Sequence, residues 1–153
     1  MQKRLWDGIQ ANVPYVRING PEPGPRRIST NLNISAEFLE GEGLVLMLDV
    51  NGVAVAAGPS CISKSLKISP VLTAIGLDRS LAQGNLLLSP GKDNTEGEMD
   101  YVIQTFAKVA ARLRGMSPLW DEFQGGRVDS LVHPRRSARK ARSGPASTAK
   151  PSR

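Results

Sequence analysis

Thr95-Glu-Gly-Glu-Met-Asp-Tyr-Val-Ile-Gln-Thr-Phe-Ala-Lys-Val-Ala-Ala-Arg-Leu-Arg-Gly115 carries the clearest periodic signal in the chain. Met99, Val102, Ile103, Phe106, Val109 and Leu113 recur at the 3.6-residue spacing that puts them on one side of a helix over residues 95–114. Thr95 with Glu98 forms a capping box at its start. Gly115 closes it after Arg112 and Arg114, basic residues that suit the negative end of the helix dipole. An apolar stripe of this length must be buried, so the fold needs a surface for it.

Working outward, a second helix is predicted over residues 42–50, stopped by Asn51-Gly52. A third begins at Ser69-Pro70, a cap followed by proline at the first helical position, and runs to Ile75-Gly76. A weaker periodicity suggests a first helix over residues 2–11. Short strands are predicted at residues 15–18, 31–35, 53–56 and 85–88, with Leu32 and Ile34 alternating in the second. So few short strands among helices imply an α+β fold, a two-layer sandwich whose small sheet is covered on one face by helices.

The 153 residues suffice for one domain with a real core and are short for two. The longest apolar runs, residues 44–48 and 53–57, fall far below the roughly 18 residues a membrane-spanning helix needs. Lys3 and Arg4 are followed by Asp7 and Gln10 where a secretory signal would be apolar, so a cytoplasmic location is expected. Residues 134–153 carry +7 of charge against a chain total of +6, which leaves −1 for residues 1–133. From Gly125 onward large apolar residues almost vanish, so residues 1–124 are expected to form the domain and residues 125–153 a disordered basic tail. Nucleic acid is not an expected partner of that tail, because no Phe, Tyr or Trp follows Phe123.

Cys61 is the chain's sole cysteine, which excludes an intrachain disulfide and a cysteine-rich metal site. It stands in Val53-Ala-Val-Ala-Ala-Gly-Pro-Ser-Cys61-Ile-Ser-Lys-Ser65, where apolar residues give way to small and turn-forming ones. An exposed loop with Lys64 nearby favours the thiolate. The residues alone leave two readings open, a reactive thiol or a small hydrophobe in packing.

Glu40-Gly-Glu42, the run from Val53 to Cys61, Ser65-Leu66, Val71-Leu72 and Ala74-Ile75-Gly76-Leu77 resemble, in that order, the stretch around the catalytic cysteine of the cysteine desulfurases, pyridoxal-phosphate enzymes of the class V aminotransferase type. The likeness extends through Leu81-Ala82, Thr95-Glu96 and Arg112-Leu113-Arg114 to Ser117-Pro118-Leu119-Trp120. Upstream it takes in Arg4-Leu5-Trp6-Asp7-Gly8-Ile9 and Asn31-Leu32-Asn33-Ile34-Ser35, and so spans residues 3–124. The resemblance implies the C-terminal small domain of a fold-type I enzyme, with Cys61 as the nucleophile that takes sulfur from L-cysteine and carries it as a persulfide.

Two departures shape what the resemblance implies. The arginine that clamps the substrate carboxylate in the family is matched by Leu87, and leucine offers no guanidinium. The lysine and neighbouring histidine that hold the cofactor on the family's large domain have no counterpart, since the sole histidine is His133. Pyridoxal phosphate therefore belongs to the family, and the chain alone is expected not to bind it. The implied partners are a large domain carrying that cofactor, or a full-length desulfurase, and an iron–sulfur scaffold protein docking near residues 117–123. The alternative is a non-catalytic interaction module or gene remnant that binds such a scaffold or enzyme.

Overall fold

Residues 1–58 and 68–133 are described by a computed structural model of the chain. In order they form α1 (Gln2–Asn12), β1 (Val16–Ile18), β2 (Leu32–Ala36), α2 (Gly41–Val50), α3 (Pro70–Ala74), α4 (Arg79–Gln83), β3 (Asn85–Leu88), α5 (Glu96–Arg114) and α6 (Pro118–Gln124). The strands make an antiparallel sheet in the order β1-β2-β3, with β2 in the middle. Ile34 of β2 stands opposite Ile18 on one side and Leu86 on the other, which fixes the register. Val16, Ile18, Leu32, Ile34, Ala36, Leu86 and Leu88 consequently share the face that joins the core. The α+β architecture expected from the sequence is the one observed.

Helix α5 lies over that face with Met99, Ile103, Phe106, Val109 and Ala110 buried. Its capping box is complete: Thr95 Oγ1 accepts from the Glu98 amide at 3.3 Å, and the Glu98 carboxylate accepts from the Thr95 amide at 2.7 Å. That second bond is the main cause holding the Glu98 carboxyl below its ordinary value. Helix α1 packs beside α5 through Leu5, Trp6 and Ile9. Gly8 makes the approach possible, since a Cβ there would overlap the Ile103 side chain.

Two expectations are corrected. Residues 53–56 form no strand; only Ala56 bridges Leu87, its amide donating at 3.2 Å and its carbonyl accepting at 2.7 Å. The cause is the end of α2, where Gly52 turns at φ +74° and the Val53 amide returns to the Leu48 carbonyl at 2.9 Å. Val53 is thereby committed to the core rather than to a sheet edge. The second correction concerns the domain boundary. Residues 125–133, expected with the tail, fold back onto the buried Glu37. Its carboxylate accepts from the Ser130 hydroxyl at 2.6 Å, the Leu131 amide at 2.6 Å and the Val132 amide at 3.4 Å. Residues 134–153 lie outside the described residues.

Arg114 shows why this edge holds. It is 4% exposed, so it does more than neutralise a helix dipole. Its guanidinium donates to the Glu37 carbonyl at 3.2 and 3.3 Å and stacks over the rings of Tyr15 and Trp120, 5.7 and 5.4 Å from their centroids. Burial lowers its pKa to about 10, against the opposing charge of Glu37. Tyr15 and Phe38, at φ +58° and +66°, bring their rings together with Trp120 and Phe123 around it. Helices α4 and α6 were not predicted. The first is capped by Asp78, whose carboxylate accepts from the Ser80 amide at 2.9 Å. No described helix is long and apolar enough to cross a membrane.

Two substitutions probe this arrangement. Phe106 is fully buried. Phe106→Ala should cost about 3–5 kcal/mol in urea unfolding, the usual loss for an emptied aromatic site. Glu37→Gln replaces one acceptor oxygen by a donor facing other donors; it should lower stability by about 1–3 kcal/mol and expose residues 125–133 to limited proteolysis.

Candidate functional site

The second face of the sheet is polar where the first is apolar. Arg17, Asn33, Ser35 and Asn85 alternate with the core residues and point away from the face that joins the core, and Leu87 is the apolar exception among them. Beside β2, Asn19 follows the end of β1 and is buried. Its side-chain amide donates to Asn33 Oδ1 at 2.8 Å and Ser35 Oγ at 2.9 Å. The Asn85 amide donates to the same Asn33 oxygen at 2.7 Å and to the Ile34 carbonyl at 3.2 Å. Asn19 Oδ1 is buried without a hydrogen-bond partner.

Above this amide floor lies a cavity of about 460 Å³ between the loop after β1 and helix α3. Ile28, Val71, Leu72, Ile75 and Leu87 give it an apolar wall, and Arg27 lies at its rim. The Arg27 guanidinium staples its own loop, donating to the backbone carbonyls of Pro21, Asn31 and Asn19. Burial lowers its pKa from the ordinary value, with Glu22 acting the other way. Gly58, which directly precedes the undescribed segment 59–67, and Ser69, two residues after its end, both line the cavity. The Gly58 amide donates to Asn85 Oδ1 at 3.4 Å.

Cys61, the predicted nucleophile, lies outside the described residues, as does Lys64. Leu87 is half-buried in the cavity wall, where it belongs to the open face rather than to the apolar core. Lys92 is exposed in the turn beyond β3 and is not among the described residues lining the cavity. His133 sits 5.9 Å from the Tyr15 ring, in the aromatic cluster at the other edge. The described residues do not fit a pyridoxal phosphate site: Lys3, Lys92 and Lys108 are exposed, and none lines the cavity. No cluster of metal-ligating side chains occurs among the described residues. The amide network itself escaped the sequence reading, because Asn85 and Asn33 are 52 residues apart.

The helix-covered antiparallel sheet matches part of the fold of solved NifS-like proteins. A solved "NifS-like protein" matches with a TM-score of 0.59 at 25% identity, over 73% of this chain and 28% of that one. The NifS-like protein of Rickettsia africae gives 0.57 at 19% identity, over 71% and 28%. In sequence, the chain is 44% identical over 123 residues to the cysteine desulfurase IscS of Clostridium botulinum, covering 80% of this chain and 31% of the relative. Against the cysteine desulfurase IscS of Aeromonas hydrophila it is 41% identical over 126 residues, or 82% of this chain and 30% of the relative. That of Glaesserella parasuis gives 39% over 126 residues, with the same coverage. No family model matches. The chain is related to the cysteine desulfurases and corresponds to a segment of one, spanning about a third of the length of these relatives.

The floor predicts its own weak point. Asn85→Asp puts a carboxylate against the Asn33 and Ile34 oxygens that now accept from its amide. This change should cost about 1–3 kcal/mol in thermal or urea unfolding, whereas Asn85→Ser should cost less, since a hydroxyl can still donate.

Proposed function

We propose that the chain is the sulfur-carrying part of a cysteine desulfurase, working with a separate large domain that holds pyridoxal phosphate. The observation that carries this reading is the 44% identity to a cysteine desulfurase over 123 residues, within which the Cys61 motif falls. The cavity supports it, because Gly58 and Ser69, which lie on either side of Cys61 in the sequence, both line it. Cys61 is three steps along the chain from Gly58, so its Cα can lie no more than about 10 Å from that of Gly58.

In the proposed reaction the Cys61 thiolate attacks the sulfur of a cysteine. The new S–S bond forms as the donor's Cβ–S bond breaks, the carbon keeps the electron pair and takes the thiol proton, and alanine leaves. Cys61 is left as a persulfide anion, so no outside oxidant or reductant is needed. The cofactor would supply the electron sink from the partner domain. This chain's contribution is the nucleophile.

A second reading is an interaction module. An apolar groove of about 590 Å³ runs along the start of α6, lined by Phe38, Leu39, Leu113, Met116 and Leu119, with Met116 and Leu119 more than half exposed. Such a groove supports docking of an iron–sulfur scaffold or a full-length desulfurase.

The deciding experiment combines the chain with a candidate large domain and measures alanine release and persulfide on Cys61 from L-cysteine. Sulfur on Cys61, lost in Cys61→Ser, is expected. Sulfur transfer that persists in Cys61→Ser would remove this residue from the reaction. The chain alone, titrated with pyridoxal phosphate, should develop no lysine-dependent aldimine band.

A further inference from the structure

An asparagine followed by glycine loses its side-chain amide more readily than other asparagines, because a residue without Cβ lets its backbone nitrogen close on the preceding Cγ. The chain has two such pairs, Asn19-Gly20 and Asn51-Gly52. Both glycines have positive φ, +83° and +74°. The pairs are thus alike in sequence and in glycine conformation, and they differ in what surrounds them.

Asn19 is enclosed. It is 5% exposed, and its side-chain amide donates to Asn33 Oδ1 at 2.8 Å and Ser35 Oγ at 2.9 Å. Its carbonyl accepts from the Arg27 guanidinium, a nitrogen of which lies 3.2 Å from where a Cβ on Gly20 would stand. Turning the Asn19 side chain toward the Gly20 nitrogen would break two buried hydrogen bonds without water to replace them.

Asn51 ends α2 in the open. Asn51 and Gly52 are both exposed, and nothing lies within 4 Å of where a Cβ on Gly52 would stand. Asn51 Nδ2 donates to the Met47 carbonyl at 2.7 Å and the Gly52 amide to the Asp49 carbonyl at 2.8 Å. Both bonds belong to the end of a helix, where opening costs least. Fraying there frees the attacking nitrogen and the side chain together.

We infer that Asn51 is a site of self-modification in the folded chain, and that the amide network spares Asn19. The Gly52 nitrogen gives up its proton and bonds to Asn51 Cγ, the Cγ–Nδ2 bond breaks, and ammonia leaves with a proton from water. A water molecule then opens the cyclic imide at either carbonyl to give aspartate or isoaspartate, with no change of oxidation state. The aspartate form sets a carboxylate against the Met47 carbonyl, close in sequence to Asp49 and at the negative end of the α2 dipole. The isoaspartate form adds a backbone methylene to the turn from which the Val53 amide returns to the Leu48 carbonyl. Either product loosens the turn that leads into the run from Val53 to Cys61.

The test is to incubate the full chain at mildly alkaline pH, folded and in unfolding concentrations of urea. Peptide mapping, with methyltransferase labelling of isoaspartate, then measures conversion at each position. In the folded chain position 51 should convert at least about tenfold faster than position 19, and urea should bring the two rates together by accelerating position 19. Equal rates in the folded chain, faster conversion at position 19, or a position 51 that converts only in urea would overturn the inference. Asn51→Asp reproduces one product and should speed hydrogen exchange at the Gly52 and Val53 amides relative to Asn51→Ser, which keeps a short donor. Equal protection of these amides in the two variants would refute the loosening of the turn.

Discussion

The register of β2 is the constraint on which the molecule depends. Pinned on both edges, the strand sends Leu32, Ile34 and Ala36 into the core and Asn33 and Ser35 to the opposite face. Because side chains alternate with a period of two, a slip of one residue would bury the amides under α5 and turn the aliphatic set to the cavity. The amide floor reinforces that choice, since Asn33 Oδ1 accepts from residues on both sides of its strand. Core packing and polar pairing thus select the same alignment, and the two faces acquire opposite characters from one decision.

Much of the layout was legible because it depends on local signals. The α5 stripe and its capping box are encoded within a few residues, and Ser69-Pro70 marked α3 correctly. The same signature at Ser117-Pro118 marks α6 and could have been read there. Residues 53–56 misled because their apolar, β-favouring composition is used to close a helix instead of to pair. Helix α4, five residues long, is too short for periodicity to reveal, though its Asp78 cap is visible in the sequence. The clasp at Glu37 was invisible for a different reason: the Ser130 that satisfies it lies 93 residues away in a segment poor in large apolar groups. Hydrogen bonding to one buried carboxylate orders that segment where hydrophobic burial could not.

The candidate site divides in the same way. The motif around Cys61 is a local pattern, and it places the chain with the cysteine desulfurases alongside the 39–44% identity of the curated relatives. The character of the surface beside that motif comes from Asn19, Asn33 and Asn85, brought together only when three separate segments meet. Leu87 belongs to both descriptions. As a residue in a sequence it is an ordinary aliphatic strand position, and its setting beside Asn33 and Asn85 emerges only in the fold.

The clasp at Glu37 also has a mechanical side. Tension applied to the chain beyond His133 would arrive at Ser130, Leu131 and Val132 before it reached any strand, because these residues fasten the end of the described chain to the carboxylate. Two bonds of 2.6 Å and one of 3.4 Å to a single side chain share such a load. Because Glu37 directly follows Ala36, the last residue of β2, a pull from beyond His133 reaches the end of the central strand through that one carboxylate.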